Sequence, residues 1–245
     1  MSAQAYFDAV AEGLSRVREQ SEAIRKAADA LCDAVVEARG IFSFGASHSF
    51  MLTEELVYRT GGLMLINPIY PHGMHLFVRP MTATSQLERV PGLGAALLAG
   101  CAARDGDTVI IASTSGRNPV VIDLAASARE RGMRTIGITS LAYTGGVSSR
   151  HASGRKLADI CDIVLDNGAP YGDAAVRIAG FDQRVGPLSS VLGCALVNAL
   201  VVEVVAGLVA RGVEPPVFIS ANVDGGDERN ARLLAANRER IHYMD

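Results

Sequence analysis

The chain has 245 residues, enough to bury a sizeable core in one large domain or two small ones. A net charge of -3 leaves no basic footprint for nucleic acid or an anionic membrane surface. Cys32, Cys101, Cys161 and Cys194 are scattered without a CxxC pair, so neither a zinc knuckle nor a redox pair is indicated, and the polar, charged start shows no secretory signal. Reduced thiols in the cytoplasm are the expectation.

Residues 3 to about 38 carry one helical pattern, from Phe7 and Val10 to Leu31 and Val35, ended by Gly40. A long helix ahead of the first strand predicts packing across the domain or onto a second subunit. Ile41 to Phe44 reads as a strand leading into GASHS, residues 45–49, and a helical stretch up to Gly61-Gly62. Leu63 to Ile66 is the next apolar run, so strand, helix and strand form a parallel βαβ unit.

Residues 67–85 read as an irregular flap or interface segment. His72 and His75 are spaced as HxxH, but without a matching carboxylate or cysteine cluster no metal site is expected. A helix, LERVPGLGAALLAGC, precedes the central strand, Val109 to Ala112.

Three hydroxyls follow that strand: Ser113, Thr114 and Ser115. Gly116 permits a tight turn, Asn118 suits an N-cap, and Pro119 suits the first helical position. Hydroxyl donors and the free amides of a helix start make a site for a small anion, most plausibly a phosphate monoester. The same residue types also build ordinary turns. The second hydroxyl loop, at 45–49, favours binding. There is no Walker lysine motif and neither loop contains GxGxxG, which disfavours a nucleoside triphosphate or dinucleotide.

Arg134 to Thr139 and Ile160 to Leu165 read as further strands. Residues 169–187 show little periodicity. The most hydrophobic stretch, Val191 to Val209, lies within a long helix, roughly 188–210. Asn198 and Glu203 interrupt it, which predicts a core or interface helix rather than a membrane span. A short apolar run, a polar turn and a helix from about Asp227 close the chain. Alternating strands and helices predict a doubly wound α/β fold with ligands beyond the carboxyl ends of the strands.

IIASTSGRNPVVIDLAASARERGMRTIGITS resembles the central phosphate loop of sedoheptulose-7-phosphate isomerases. SGRNPVVI also resembles N-acetylmuramic acid 6-phosphate etherases, and FSFGASHSF resembles the first loop of the SIS (sugar isomerase) domain family. FGASHSFMLTEELVYRTGG, DNGAPYGDA with GPLSS, and SANVDGGDERN resemble a less characterised SIS group that binds phosphosugars. The resemblance implies a flavodoxin-like five-stranded parallel sheet in a single SIS domain. Residues 1–38 would be the helix, 39–210 the core and 211–245 an extension. It further implies a homodimer or homotetramer.

Carried over by position, the phosphosugar ligands would be His48 and Ser49 in the first loop, and Ser113, Thr114, Ser115 and Asn118 in the central loop. Asp166, Asn167 and Asp173 follow a strand end and would bind sugar hydroxyls or serve turns. Isomerisation needs a base, for which Glu54, Glu55 and Glu88 are candidates; Glu55 is also spaced for an ion pair with Arg59. The implied function is a sugar-phosphate isomerase of the aldose–ketose type, resembling phosphoheptose isomerase, working without metal or cofactor. The alternatives are a sugar-phosphate lyase or etherase, a phosphosugar-sensing regulator without chemistry, and a binder of a non-sugar anion.

Overall fold

In the computed structural model, which describes residues 2–244, five parallel strands form one sheet. They are β1 (Ile41–Gly45), β2 (Ile66–Pro68), β3 (Thr108–Ala112), β4 (Arg134–Thr139) and β5 (Ile163–Asp166), in the order β2-β1-β3-β4-β5. The order reverses between β1 and β3, which pair from Ile41 opposite Thr108 to Gly45 opposite Ala112. The two hydroxyl loops leave these two strands, so they meet where a doubly wound sheet opens a crevice.

Alternation sorts each strand between two cores. Ile110, Ile136, Ile138 and Leu165 face one side, against α1 (Ser2–Arg18), α2 (Ser21–Val36) and α3 (Phe50–Leu56), and against α8 (Ser189–Ala210). Val109, Ile111, Phe42 and Phe44 face the other, with Leu98, Val120 and Leu124. Those last residues come from α5 (Leu93–Ala99) and α6 (Pro119–Glu130). At Gly94 a Cβ would lie 1.9 Å from the Val120 carbonyl oxygen, so only glycine lets these two helices approach so closely.

Several expectations need correction. The N-terminal pattern is two helices. At the break, the Gln20 side chain donates to the Asp166 carbonyl (2.6 Å) and accepts from the Asp166 N–H (2.8 Å), capping the open edge of β5. The strand expected at Leu63 begins only at Ile66, because Leu63 bridges Val217 of the C-terminal run. The helix expected through LERVPGLGAALLAGC is confined to α5, after Pro91 and a left-handed Gly92, and a short helix, α4 (Ala83–Leu87), closes the stretch expected to be irregular. Strand β5 starts at Ile163, after a turn at Leu157–Asp159. The stretch expected to be irregular, 169–187, holds an antiparallel hairpin, β6 (Ala174–Ile178) and β7 (Phe181–Pro187), turning at Gly180. Its strands carry exposed polar residues, so the pattern for a half-buried strand is missing. A short helix, α7 (Leu141–Gly145), follows β4, and α9 (Gly226–Ala236) closes the chain.

Candidate functional site

The first loop folds tightly back on its strand. A Cβ on Gly45 would sit 2.4 Å from the Ser49 carbonyl oxygen, so a side chain there would push the Ser47–Ser49 turn away. Ser47 itself adopts a left-handed backbone, and its N–H donates to the Met74 carbonyl at 3.0 Å. The central loop turns at Gly116, also left-handed, and the Gly116 N–H donates to Ser113 Oγ at 3.2 Å.

Between the two loops lies a narrow recess of about 220 Å³ including its mouth, with room for about one water at its floor. His48 and Ser49 line it from the first loop, and Ser113 and Thr114 from the central loop. Asn167 lines it from beyond β5, and Ser189 and Ser190 are the first residues of α8. Leu52, Ala112 and Ile138 complete the lining, which among the described residues holds no carboxylate, lysine or arginine. The chemistry is that of neutral side-chain donors and of the first-turn N–H groups of a 22-residue helix that remain after Asp173 has taken those of Leu188 and Ser189. With room for about one water at the floor, a small anion head would seat at the mouth, and a sugar body would lie outside the recess.

Asn167 is buried, and its amide donates to Thr114 Oγ1 at 3.3 Å while its carbonyl oxygen accepts from the Ala169 N–H. It thereby orients Thr114. Ser189 and Ser190 are the lining residues that sequence reasoning missed. Their signal was two serines directly ahead of the longest apolar helix. The first loop leads instead into α3, of only seven residues, so the helix start that faces the recess belongs to α8.

The other expected ligands lie outside the lining. Asp173 accepts from the N–H groups of Leu188 (3.1 Å) and Ser189 (2.7 Å), and its other oxygen accepts from Ser189 Oγ at 2.7 Å. It caps α8 and positions Ser189. Asp166 Oδ1 accepts from the N–H groups of Leu141 and Gly168, which is turn chemistry. Ser115 is half-buried, and its carbonyl accepts from Thr144 Oγ1. Asn118 occupies the N-cap position of α6 but its side chain makes no capping bond.

The three glutamates also lie outside the lining, in different surroundings. Glu54 is exposed. Glu55 Oε1 accepts from Asn198 Nδ2 (2.9 Å) and Arg59 Nε (3.2 Å). The Asn198 hydrogen bond, aided by Arg59, holds its carboxyl below the usual range against the opposing effect of burial. Glu88 bridges the two loops: Oε1 accepts from Ser47 Oγ and Oε2 from Asn118 Nδ2, each at 2.7 Å. Asn118 Oδ1 in turn accepts from Arg150 Nη1 at 3.0 Å. Burial and the nearby Arg117 and Arg89 push the Arg150 guanidinium pKa down.

His75 packs edge-on against Phe50 at 5.2 Å. Among the described residues no three histidine, cysteine or acidic side chains cluster as metal ligands.

A SIS domain family model matches residues 5–140. A UPF0309 protein of Shouchella clausii is 41% identical over 240 residues, covering 98% of each chain. A UPF0309 protein of Streptomyces griseus is 44% identical over 240 residues, covering 97% of this chain and 96% of that one. Among solved structures, phosphoheptose isomerase GmhA from Neisseria gonorrhoeae superposes with a TM-score of 0.54 at 16% identity, over 83% of this chain and 97% of that one. A phosphoheptose isomerase from Francisella tularensis gives 0.52 at 13% identity, over 82% and 95%. These structures share the fold.

Proposed function

The chain belongs to the SIS domain family, and from that premise we propose that it binds a sugar phosphate and isomerises it between aldose and ketose. The observation that carries this reading is the meeting of Ser49 and Ser113, from loops on neighbouring strands, in one recess with the start of α8. Hydroxyls and the remaining first-turn amides of α8 hold the phosphate at the mouth of the recess, and the sugar extends outward past the loops. His48 and Thr114 add donors, and Asn167 keeps Thr114 aimed. Glu88 is the carboxylate assigned to proton transfer between the two sugar carbons, because it is hydrogen-bonded to both loops. The chain works as a single cytoplasmic domain on a small molecule, without metal or cofactor and without nucleic acid or membrane.

A second reading, a phosphosugar sensor without chemistry, is favoured by one observation: the recess lining holds no carboxylate. Two measurements separate them. A thermal-shift panel of sugar phosphates against their unphosphorylated parents should raise the melting temperature only with the phosphate. The stabilising compounds are then incubated with the protein in deuterated water. Exchange at the carbon beside the carbonyl, lost in Glu88→Gln with the thermal shift retained, supports the isomerase. Binding without exchange supports the sensor, and no selective shift for any phosphate removes both.

A further inference from the structure

Three arginines gather where the central loop meets α6. Arg89 follows Glu88, Arg117 precedes Asn118, and Arg150 lies in the loop after α7. The backbone holds these segments together. The Val120 N–H donates to the Glu88 carbonyl at 3.2 Å, and the Arg150 N–H donates to the Arg117 carbonyl at 2.9 Å. Arg150 Nη1 also reaches Asn118 Oδ1, and Asn118 Nδ2 reaches Glu88. Partial desolvation, then the nearby Arg117 and Arg89, hold the Arg150 guanidinium below its usual range. Arg117 donates from Nη2 to Ser148 Oγ at 3.3 Å, while its Nε is buried without a hydrogen-bond partner. Among the described residues none of the three pairs with a carboxylate.

Glu88 is the carboxylate beside them, and both of its oxygens accept from neutral groups, Ser47 Oγ and Asn118 Nδ2. The group therefore sets three positive charges against one negative. Like charges held near one another by the backbone repel, and an anion placed among them relieves the repulsion. A guanidinium presents a planar fork that takes a carboxylate or a phosphate through two hydrogen bonds. The recess is the opposite, lined without any charged side chain. One short loop joins the two places. From Ser113 to Asn118 the chain advances five residues, which fully extended would reach about 17 Å, and the turn at Gly116 shortens that. We infer that Arg89, Arg117 and Arg150 form a second anion site, so that the ligand has two anionic heads: a phosphate at the mouth of the recess, and a carboxylate or second phosphate against the guanidinium groups. The carbons that join the heads then pass Glu88, which is hydrogen-bonded to both loops. The first head rests on the sugar-phosphate reading of the recess; the second rests on the arginines.

Titration calorimetry on the full chain compares ligands with one head and with two. 6-Phosphogluconate is set against glucitol 6-phosphate, an open chain of the same length without the carboxylate. Fructose 1,6-bisphosphate is set against fructose 6-phosphate. In at least one pair the two-headed ligand should bind about tenfold tighter, the worth of one charge-assisted hydrogen bond. Which pair shows the gain tells a carboxylate from a phosphate. Arg89→Gln and Arg150→Gln should each shrink the ratio to below about threefold. Arg89 is exposed and its side chain bonds to none of the described residues, so Arg89→Gln keeps the test open should Arg150→Gln, which loses Asn118, disturb the fold. Arg134→Gln, which removes a positive charge at the opposite end of the sheet, should leave the ratio unchanged. Equal affinities within both pairs overturn the inference and leave the sugar-phosphate reading standing. A ratio that survives both Arg89→Gln and Arg150→Gln, or that falls as far in Arg134→Gln, overturns it too, as does silence from all four ligands. Two-headed ligands that bind where neither monophosphate does would uphold the arginine site and break the reading of the recess.

Discussion

The two ends of the sheet hold openings of opposite character. At the carboxyl end the recess has room for about one water and is lined mainly by neutral hydroxyls and an amide. At the amino end, one cleft of about 640 Å³ runs past Thr108, Arg134 and Ile163, the first residues of β3, β4 and β5. A second, also of about 640 Å³, lies beside Gly40 and Asp107. The larger openings are rich in charge, but most of their carboxylates already have partners. Asp107 accepts from the N–H groups of Gly40 (2.8 Å) and Arg104 (2.7 Å). Asp162 accepts from the N–H and hydroxyl of Thr135 and pairs with Arg129. These groups pin the starts of the strands. A neutral, hydroxyl-rich lining, rather than volume, distinguishes the carboxyl end, where the proposed site lies.

The contrast can be broken from either end. The largest expected effect is on stability at the amino end. Asp107→Ala strands two N–H groups beside a buried carboxylate position and should cost about 2–4 kcal/mol in chemical denaturation. The affinity for a stabilising sugar phosphate should stay within about twofold, because the strand tips are untouched. A large loss of affinity would erase the distinction between the ends.

At the carboxyl end the signs reverse. Ser113→Ala should weaken sugar-phosphate binding by about 1–3 kcal/mol in titration calorimetry, with a smaller loss of stability in the free protein because the Gly116 N–H loses its acceptor. Ser115→Ala, outside the lining, should do less. If Ser115 proved the more costly of the two, the phosphate would lie deeper in the central loop than the recess places it.

Asp173 sharpens the comparison because it belongs to both accounts. Asp173→Ala should cost about 1 kcal/mol in stability through the lost cap on α8. It should also weaken phosphate binding, since Ser189 loses its anchor. Loss of stability alone would remove Ser189 from the ligand set.

The smallest effect concerns pH. The Glu55 carboxyl is held low in the folded state, so it contributes stability above the usual carboxylate range. That contribution is lost as pH falls through the lowered folded value. Glu55→Gln should therefore flatten the acid limb of the stability curve, by less than about 1 kcal/mol for this partly exposed pair. An unchanged acid limb would show that Asn198 and Arg59 add nothing measurable.

Legibility followed distance along the chain. The βα units around β1, β3 and β4 were readable, because a strand's apolar run and a helix's spacing are set by neighbours within a few residues. Helix α6 falls where Pro119 and Gly132 put it. The hairpin at 174–187 was not readable, since its residues are mostly exposed and carry no core-facing alternation. Nor was the break at Gln20, whose reason is a pair of hydrogen bonds to Asp166, 146 residues away.

The sequence by itself determined the parallel doubly wound plan and the two hydroxyl loops, because turn chemistry and periodicity are local. It also marked α8 as too apolar for an ordinary surface helix. Only the tertiary structure decided how the candidates divide. Ser49, Ser113, Thr114, His48 and Asn167 meet in one recess, while Asp166 and Asp173 are spent on backbone N–H groups. Ser189 and Ser190 join the first group, and Glu88 ties the loops from outside. The physical reason is that a carboxylate or hydroxyl bonds to whatever the fold brings within about 3 Å. For Glu88 that is Ser47, 41 residues before it, and Asn118, 30 after it. No local spacing encodes those partners.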